Sequence, residues 1–148
     1  MIDIKITRDS LNPEEISTKV RKDTNGAGLT FLGTTRDFFM GKKVISLEYE
    51  AYEEMATKKL QEIALELQKR WAIPDIAFYH RIGRVDVGEI SLVVALGSPH
   101  REEAFAACKY AVDRLKEIVP IWKKEVYEGG EVWVESEKQK QVTLTGQK

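Results

Sequence analysis

The chain holds one cysteine, two histidines and four prolines among 148 residues, and its formal charge is −1. A single cysteine excludes an internal disulfide and any zinc site built on cysteine pairs, and fits a reducing cytosol. The histidines, His80 and His100, fall in no ligand pattern such as H-E-x-x-H, so metal catalysis is not expected. A near-zero charge removes the basic field that marks nucleic-acid or anionic-membrane binding. No apolar run approaches a membrane-spanning length, and residues 1–7 alternate instead of forming the apolar segment of a signal peptide. The G-x-S-x-G, P-loop and G-x-G-x-x-G fingerprints are missing, which argues against the common hydrolase, NTPase and dinucleotide-binding classes.

What is present suits one domain over residues 1–148, with an apolar fraction of 43%. Ile2, Ile4 and Ile6 alternate as in a strand; Asn12 and Pro13 then start a helix with Ile16 and Val20 on one side. After an Asn- and Gly-rich turn, residues 29–36 have strand composition and leave Arg36 at the strand's end. In the loop 37–43, Phe38, Phe39 and Met40 make a buried plug, an oligomer contact or a pocket wall. Residues 44–52 alternate and are expected to pair with the preceding strand as a hairpin.

Helical spacing then runs over 53–71, strand patterns over 76–83 and 90–97, with a turn at 86–89. Ser98 and Pro99 have the chemistry of a helix cap and first position. The helix they open carries an apolar stripe of Ala104, Phe105, Cys108, Ala111, Val112 and Leu115, where Cys108 reads as core packing. The order of elements describes an α+β fold, a mainly antiparallel sheet with helices on one face. A polar end at about 135–148 is expected to be a mobile tail.

The stretch 113–125 concentrates the chemistry. Pro120 ends the helix and biases its predecessor toward extended geometry, so Lys116 belongs to a last helical turn and Lys123 to a strand. Leu115, Ile118, Val119, Ile121 and Trp122 would wall the two ammonium groups and partly desolvate them, the condition that tunes a lysine for catalysis. A lysine in a last turn is also favoured by the helix dipole alone. His100 and Arg101 stand at a helix start, where unpaired N–H groups suit a phosphate, or simply form a solvated helix end. Arg36 is a rim charge or a third pocket cation, and His80, inside a strand, reads as a structural histidine.

Leu115-Lys116-x-x-x-Pro120-x-Trp122-Lys123-Lys124-Glu125 occurs together with Gly33-x-x-Arg36, the run 47–52, His80-Arg81-Ile82-Gly83 and Ser98-x-His100-Arg101. As a set these blocks, spread over about residues 27–134, resemble the large, catalytic subunit of molybdopterin synthase. The resemblance implies an α/β hammerhead fold and a cytoplasmic sulfur transferase of molybdenum-cofactor biosynthesis. Its substrate would be precursor Z, a cyclic pyranopterin monophosphate. Two dithiolene sulfurs would come from the thiocarboxylated Gly-Gly end of a small ubiquitin-like subunit, and no resident cofactor is implied. Two large subunits would form a central homodimer within a heterotetramer.

Carried over by position, Lys116 and Lys123 match catalytic lysines. Arg36, His100 and Arg101 match substrate-phosphate positions, where a clamp would retain the half-sulfurated intermediate between two donor visits. Phe31, Phe38, Phe39 and Met40 would wall the pocket or the tail channel. Some relatives place a cross-subunit arginine beyond the tryptophan matching Trp133; here that position is Glu137, with Lys138 or Lys140 as substitutes. The rival expectation is a non-catalytic module that binds a ubiquitin-like tail or an anionic effector.

Overall fold

The alternating start of the chain becomes β1 (Ile2–Thr7), which pairs in parallel with β5 (Asp75–Arg81). This is seen in a computed structural model that describes residues 1–39 and 41–134. β5 runs antiparallel to β7 (Ile90–Ser98), and β7 antiparallel to β2 (Ala27–Thr34), giving a four-stranded sheet of order β1-β5-β7-β2. Successive side chains in a strand point to opposite faces. Ile76, Phe78, Leu92, Val94 and Leu96 therefore share one face, and Ala77, Tyr79, Val93 and Ala95 the other; both are buried.

Helices α2 (Glu53–Trp71) and α3 (Arg101–Ile118) cover the first face, as the helices-on-one-face expectation has it. The short α1 (Pro13–Val20) departs from it and covers the opposite face with Ile16 and Val20. Small residues there allow a close approach: a Cβ on Gly97 would lie 2.1 Å from the Val20 carbonyl oxygen. Asn12 caps α1, its side-chain oxygen accepting from the Glu15 N–H at 3.2 Å, with Pro13 in the first position as expected.

The start of α3 corrects the sequence reading. Ser98 is still in β7, paired opposite Ala27, and the helix begins at Arg101 with an extended His100 that makes no side-chain cap bond. The ladder to β2 holds Ser98, and Pro99, which has no N–H to donate, ends the strand. The buried stripe is Ala104, Ala107, Cys108, Ala111 and Leu115, while Phe105 is 61% exposed. Phe105 sits one residue off the three-four spacing, and Ala107 takes its place.

A second sheet contains β3 (Phe38–Phe39), β4 (Lys42–Ala51), β8 (Ile121–Tyr127) and β9 (Gly130–Val134) in the order β3-β4-β8-β9, with β6 (Gly83–Asp86) also paired to β4. The expected hairpin between 29–36 and 44–52 does not form: β2 pairs with β7, and β4 with β6 and β8. β2 has an apolar partner in β7, whereas β4 alternates polar residues that suit a sheet with a wet face. The single strand expected over 76–83 is divided after Arg81. Gly83, at φ +83°, takes the left-handed conformation that starts β6 in the second sheet. Among the described residues no helix is long and apolar enough to cross a membrane. The expected mobile tail, with Glu137, Lys138 and Lys140, lies outside the described residues, as does Met40.

Candidate active site

The break at the end of α3 builds the site. Val119 donates its N–H to the Leu115 carbonyl at 3.1 Å but is itself extended, at φ −82° and ψ 122°; after Pro120, β8 begins at Ile121. Lys116 is thereby set in the final turn of α3, where the partial negative charge of the helix end favours an ammonium. The pleat of β8 then separates two neighbouring lysines. Ile121, Lys123 and Glu125 line a cavity. Lys124 engages Glu48 at 3.1 Å and Glu131 at 3.3 Å, and lies over the Trp133 ring.

The cavity, of about 130 Å³, sits where the two sheets meet. β4 contributes Tyr49 and Leu47, opposite Lys123 and Glu125 respectively in the β4–β8 register. The four-stranded sheet contributes Phe31 and Thr34 from β2, His80 from β5 and Ser91 and Leu92 from β7, with Arg36 just past the end of β2. Ser91 donates its hydroxyl to the Gly33 carbonyl at 3.2 Å, tying the rim of β7 to β2. Arg36, Lys116 and Lys123 thus come to one cavity from three separate elements. Three cations around a partly apolar hollow can hold an anion and stabilise negative charge that develops during reaction.

Burial falls most heavily on groups other than the lysines. Lys123 is half-buried, in line with the expected partial desolvation, and Lys116 is exposed, against it. His80 and Glu125, 5% and 4% exposed, are the desolvated ionisable groups of the cavity wall. Burial pushes the His80 imidazole down to about 4, and the Lys116 charge adds in the same direction, against the hydrogen bond to the Arg81 carbonyl. His80 Nδ1 lies 2.7 Å from that carbonyl oxygen, and the ring meets Tyr49 edge-on with centroids 5.0 Å apart. The sequence alone reads His80 as a structural histidine and does not single out Glu125. The period-two spacing from Lys123 is the signal that places Glu125 on the same face.

His100 and Arg101 are not among the cavity-lining residues. They begin α3, whose 18 residues span roughly 27 Å, while Lys116 is near its end. The β2–β7 register agrees: Ser98 pairs with Ala27 at one end of the sheet, and Thr34, near Arg36, with Ile90 at the other. Phe31 lines the cavity; Phe38, 56% exposed, does not, and Phe39 pairs through its backbone with Lys42. Among the described residues no group of three or more His, Cys, Asp or Glu side chains is placed to hold a metal ion.

Residues 6–118 match the family model described as MoaE protein. The chain is 48% identical over 130 residues to the molybdopterin synthase catalytic subunit of Bacillus subtilis, covering 88% of this chain and 83% of that one. The crystal structure of molybdopterin synthase from Staphylococcus aureus superposes with a TM-score of 0.84 at 40% identity, over 87% of this chain and 94% of that one. A protein–protein complex of subunits 1 and 2 of molybdopterin-converting factor from Helicobacter pylori shares the fold, with a TM-score of 0.73 at 16% identity, over 92% of this chain and 91% of that one.

Proposed function

This chain belongs to the MoaE protein family, and we propose that the cavity of Arg36, Lys116 and Lys123 is the centre at which it acts as a molybdopterin synthase catalytic subunit. The reaction converts precursor Z into molybdopterin, with both dithiolene sulfurs supplied by the thiocarboxylated C-terminus of a small ubiquitin-like subunit. The observation that carries this reading is the convergence of three cations on one cavity. Donor and substrate are both anionic, so a single cationic pocket serves both binding events. A Gly-Gly end has no side chains and can follow a narrow channel to it.

Lys116, on the helix end, acts at the reacting carbon or the thiocarboxylate. Lys123, half-buried and cross-strand from Tyr49, stabilises charge or transfers a proton. Phe31 supplies apolar wall. His100 and Arg101 lie too far along α3 to reach the Lys116 cavity of their own chain, so their role as phosphate contacts requires the second copy of a homodimer. The whole chain, 1–148, works as one domain in the cytoplasm, a placement supported by the free, buried Cys108 and the biosynthetic role.

The test is product formation by the purified chain with thiocarboxylated small subunit and precursor Z. Wild type makes dithiolene product, and Lys116→Ala binds the small subunit normally but turns over at least 100-fold more slowly, about 3 kcal/mol of lost transition-state stabilisation. A wild-type chain that binds both components and makes no product would replace the enzyme with a non-catalytic binding module.

A further inference from the structure

His80 is a buried polar residue in the wall of the cavity that holds the lysines, and nothing in the cation-based account uses it. Its ring is fixed from two sides. Nδ1 faces the Arg81 carbonyl oxygen at 2.7 Å; a carbonyl only accepts, so the Nδ1 proton must be present. Tyr49 packs edge-to-face at 5.0 Å and 70°. A neutral imidazole protonated at Nδ1 has an unprotonated Nε2, and Nε2 is the polar atom this ring has left for the cavity. Lys116, on the same cavity, is near enough for its charge to act on the ring.

We propose that His80 is a positioning residue for Lys116: an uncharged acceptor whose Nε2 receives a hydrogen bond from the Lys116 ammonium and aims it into the cavity. The inference rests on the assignment of Lys116 to the reaction centre. An uncharged acceptor is the appropriate partner for a cation that must serve an anionic substrate. A carboxylate in its place would form an ion pair and spend the lysine's charge on the protein, whereas imidazole orients the ammonium and leaves the charge available.

The other ionisable groups facing the cavity include one carboxylate, Glu125, which lies on β8 two residues from Lys123. Arg36 stands past β2 and Tyr49 on β4. With three cations already present, burial keeps His80 from becoming a fourth. Burial alone favours the neutral form; the Arg81 carbonyl then selects which nitrogen carries the proton.

Two substitutions divide the ring's two nitrogens between them. The amide of Gln reaches the place of Nε2 and can accept there, but leaves the Arg81 carbonyl without its partner. The amide of Asn reaches the place of Nδ1 and can serve Arg81, but puts no acceptor toward Lys116. The positioning role predicts that His80→Gln keeps kcat within about threefold of wild type while losing thermal stability. His80→Asn keeps more of the stability and loses kcat at least tenfold with KM unchanged. A purely structural role for His80 predicts the reverse order in kcat, the variant that preserves the Arg81 bond being the more active.

The measurement is steady-state kcat and KM for wild type, both variants and Lys116→Ala, with thiocarboxylated small subunit and precursor Z, beside thermal melts of the same proteins. His80→Asn turning over like wild type, or His80→Gln failing as badly as His80→Asn, overturns the inference. If either variant does not fold, the other still decides: a folded His80→Gln must remain active and a folded His80→Asn must not. Lys116→Ala separates the two levels of the argument. Full activity there defeats the reading of the cavity itself, whereas an inactive Lys116→Ala beside a normal His80→Asn defeats only the role given to His80.

Discussion

The two sheets solve opposite problems. The four-stranded sheet is covered on both faces, by α2 and α3 on one side and α1 on the other, and its interior is apolar. The five-stranded sheet has a small apolar cluster of Val44, Leu47 and Tyr127 and exposes aromatic residues such as Trp122 and Trp133. The cavity lies between them, drawing His80, Phe31 and Leu92 from the first sheet and Tyr49, Lys123 and Glu125 from the second. The dry sheet supplies a low-dielectric wall; the wetter sheet brings Lys123 and Glu125 to it, while Lys116 and Arg36 arrive from the ends of α3 and β2. The reaction centre proposed at this border would have a packed sheet on one side and a more solvated one on the other.

That division is sharpened by substitutions whose effects differ in size and kind. Phe78 is fully buried under α2 and α3, and Phe78→Ala should cost about 3–5 kcal/mol of stability, read from denaturant unfolding, with no defect in the folded fraction's chemistry. At the border the effect depends on pH. Because folding holds the His80 imidazole well below its unfolded value of 6.5, at about 4, the unfolded chain binds the extra proton first. Stability from this residue is therefore intact above pH 6.5 and declines as pH falls from 6.5 toward 4, by on the order of 3 kcal/mol in all. His80→Gln should flatten that part of the stability–pH curve; an unchanged slope would show that the burial of His80 has no such consequence.

On the α1 side, Asp75 is 3% exposed. Burial pushes its carboxyl up, but bonds from Lys22 at 2.7 Å, Asn25 at 2.8 Å and the N-terminal amine outweigh burial and hold it below the usual carboxylate range. Its contribution is present above the ordinary carboxylate value near 3.9 and is lost as pH falls through the lower folded value. Asp75→Asn should cost about 1–2 kcal/mol at neutral pH and lose that difference in acid. The smallest expected effect is a gain. Ala72 ends α2 in the left-handed conformation at φ 54°, so Ala72→Gly should stabilise by roughly 0.5–1 kcal/mol in a thermal melt, with no change in turnover.

Local patterns were legible in the sequence to the extent that they were local. The stripe over 53–71, the Asn12–Pro13 start and the alternation at Ile2, Ile4 and Ile6 each depend on neighbours within a few residues, and each appears as an element where expected. Sheet partners depend on the whole chain, so the alternation of β4 is plain in the sequence while its pairing with β8 in place of β2 is not. The start of α3 was misread for a related reason: a Ser-Pro pair suits a helix cap, yet a distant strand, β2, held Ser98 in its ladder. The candidate site shows the same boundary. Lys116 and Lys123 could be paired across Pro120 because one break in the chain positions both. His80 and Glu125 as cavity walls, and the separation of His100 from Lys116, emerge only once the two sheets and the length of α3 are in place.

The most direct test of this account uses two adjacent residues of the same type. Lys123 faces the cavity, and Lys124, next to it on β8, faces away into ion pairs with Glu48 and Glu131. Turnover of precursor Z with thiocarboxylated small subunit should fall about 100-fold in Lys123→Ala and less than twofold in Lys124→Ala, whose side chain meets two carboxylates and not the cavity. Equal losses in the two variants, or a larger loss at Lys124, would contradict the claim that the cavity between the sheets is where the reaction occurs.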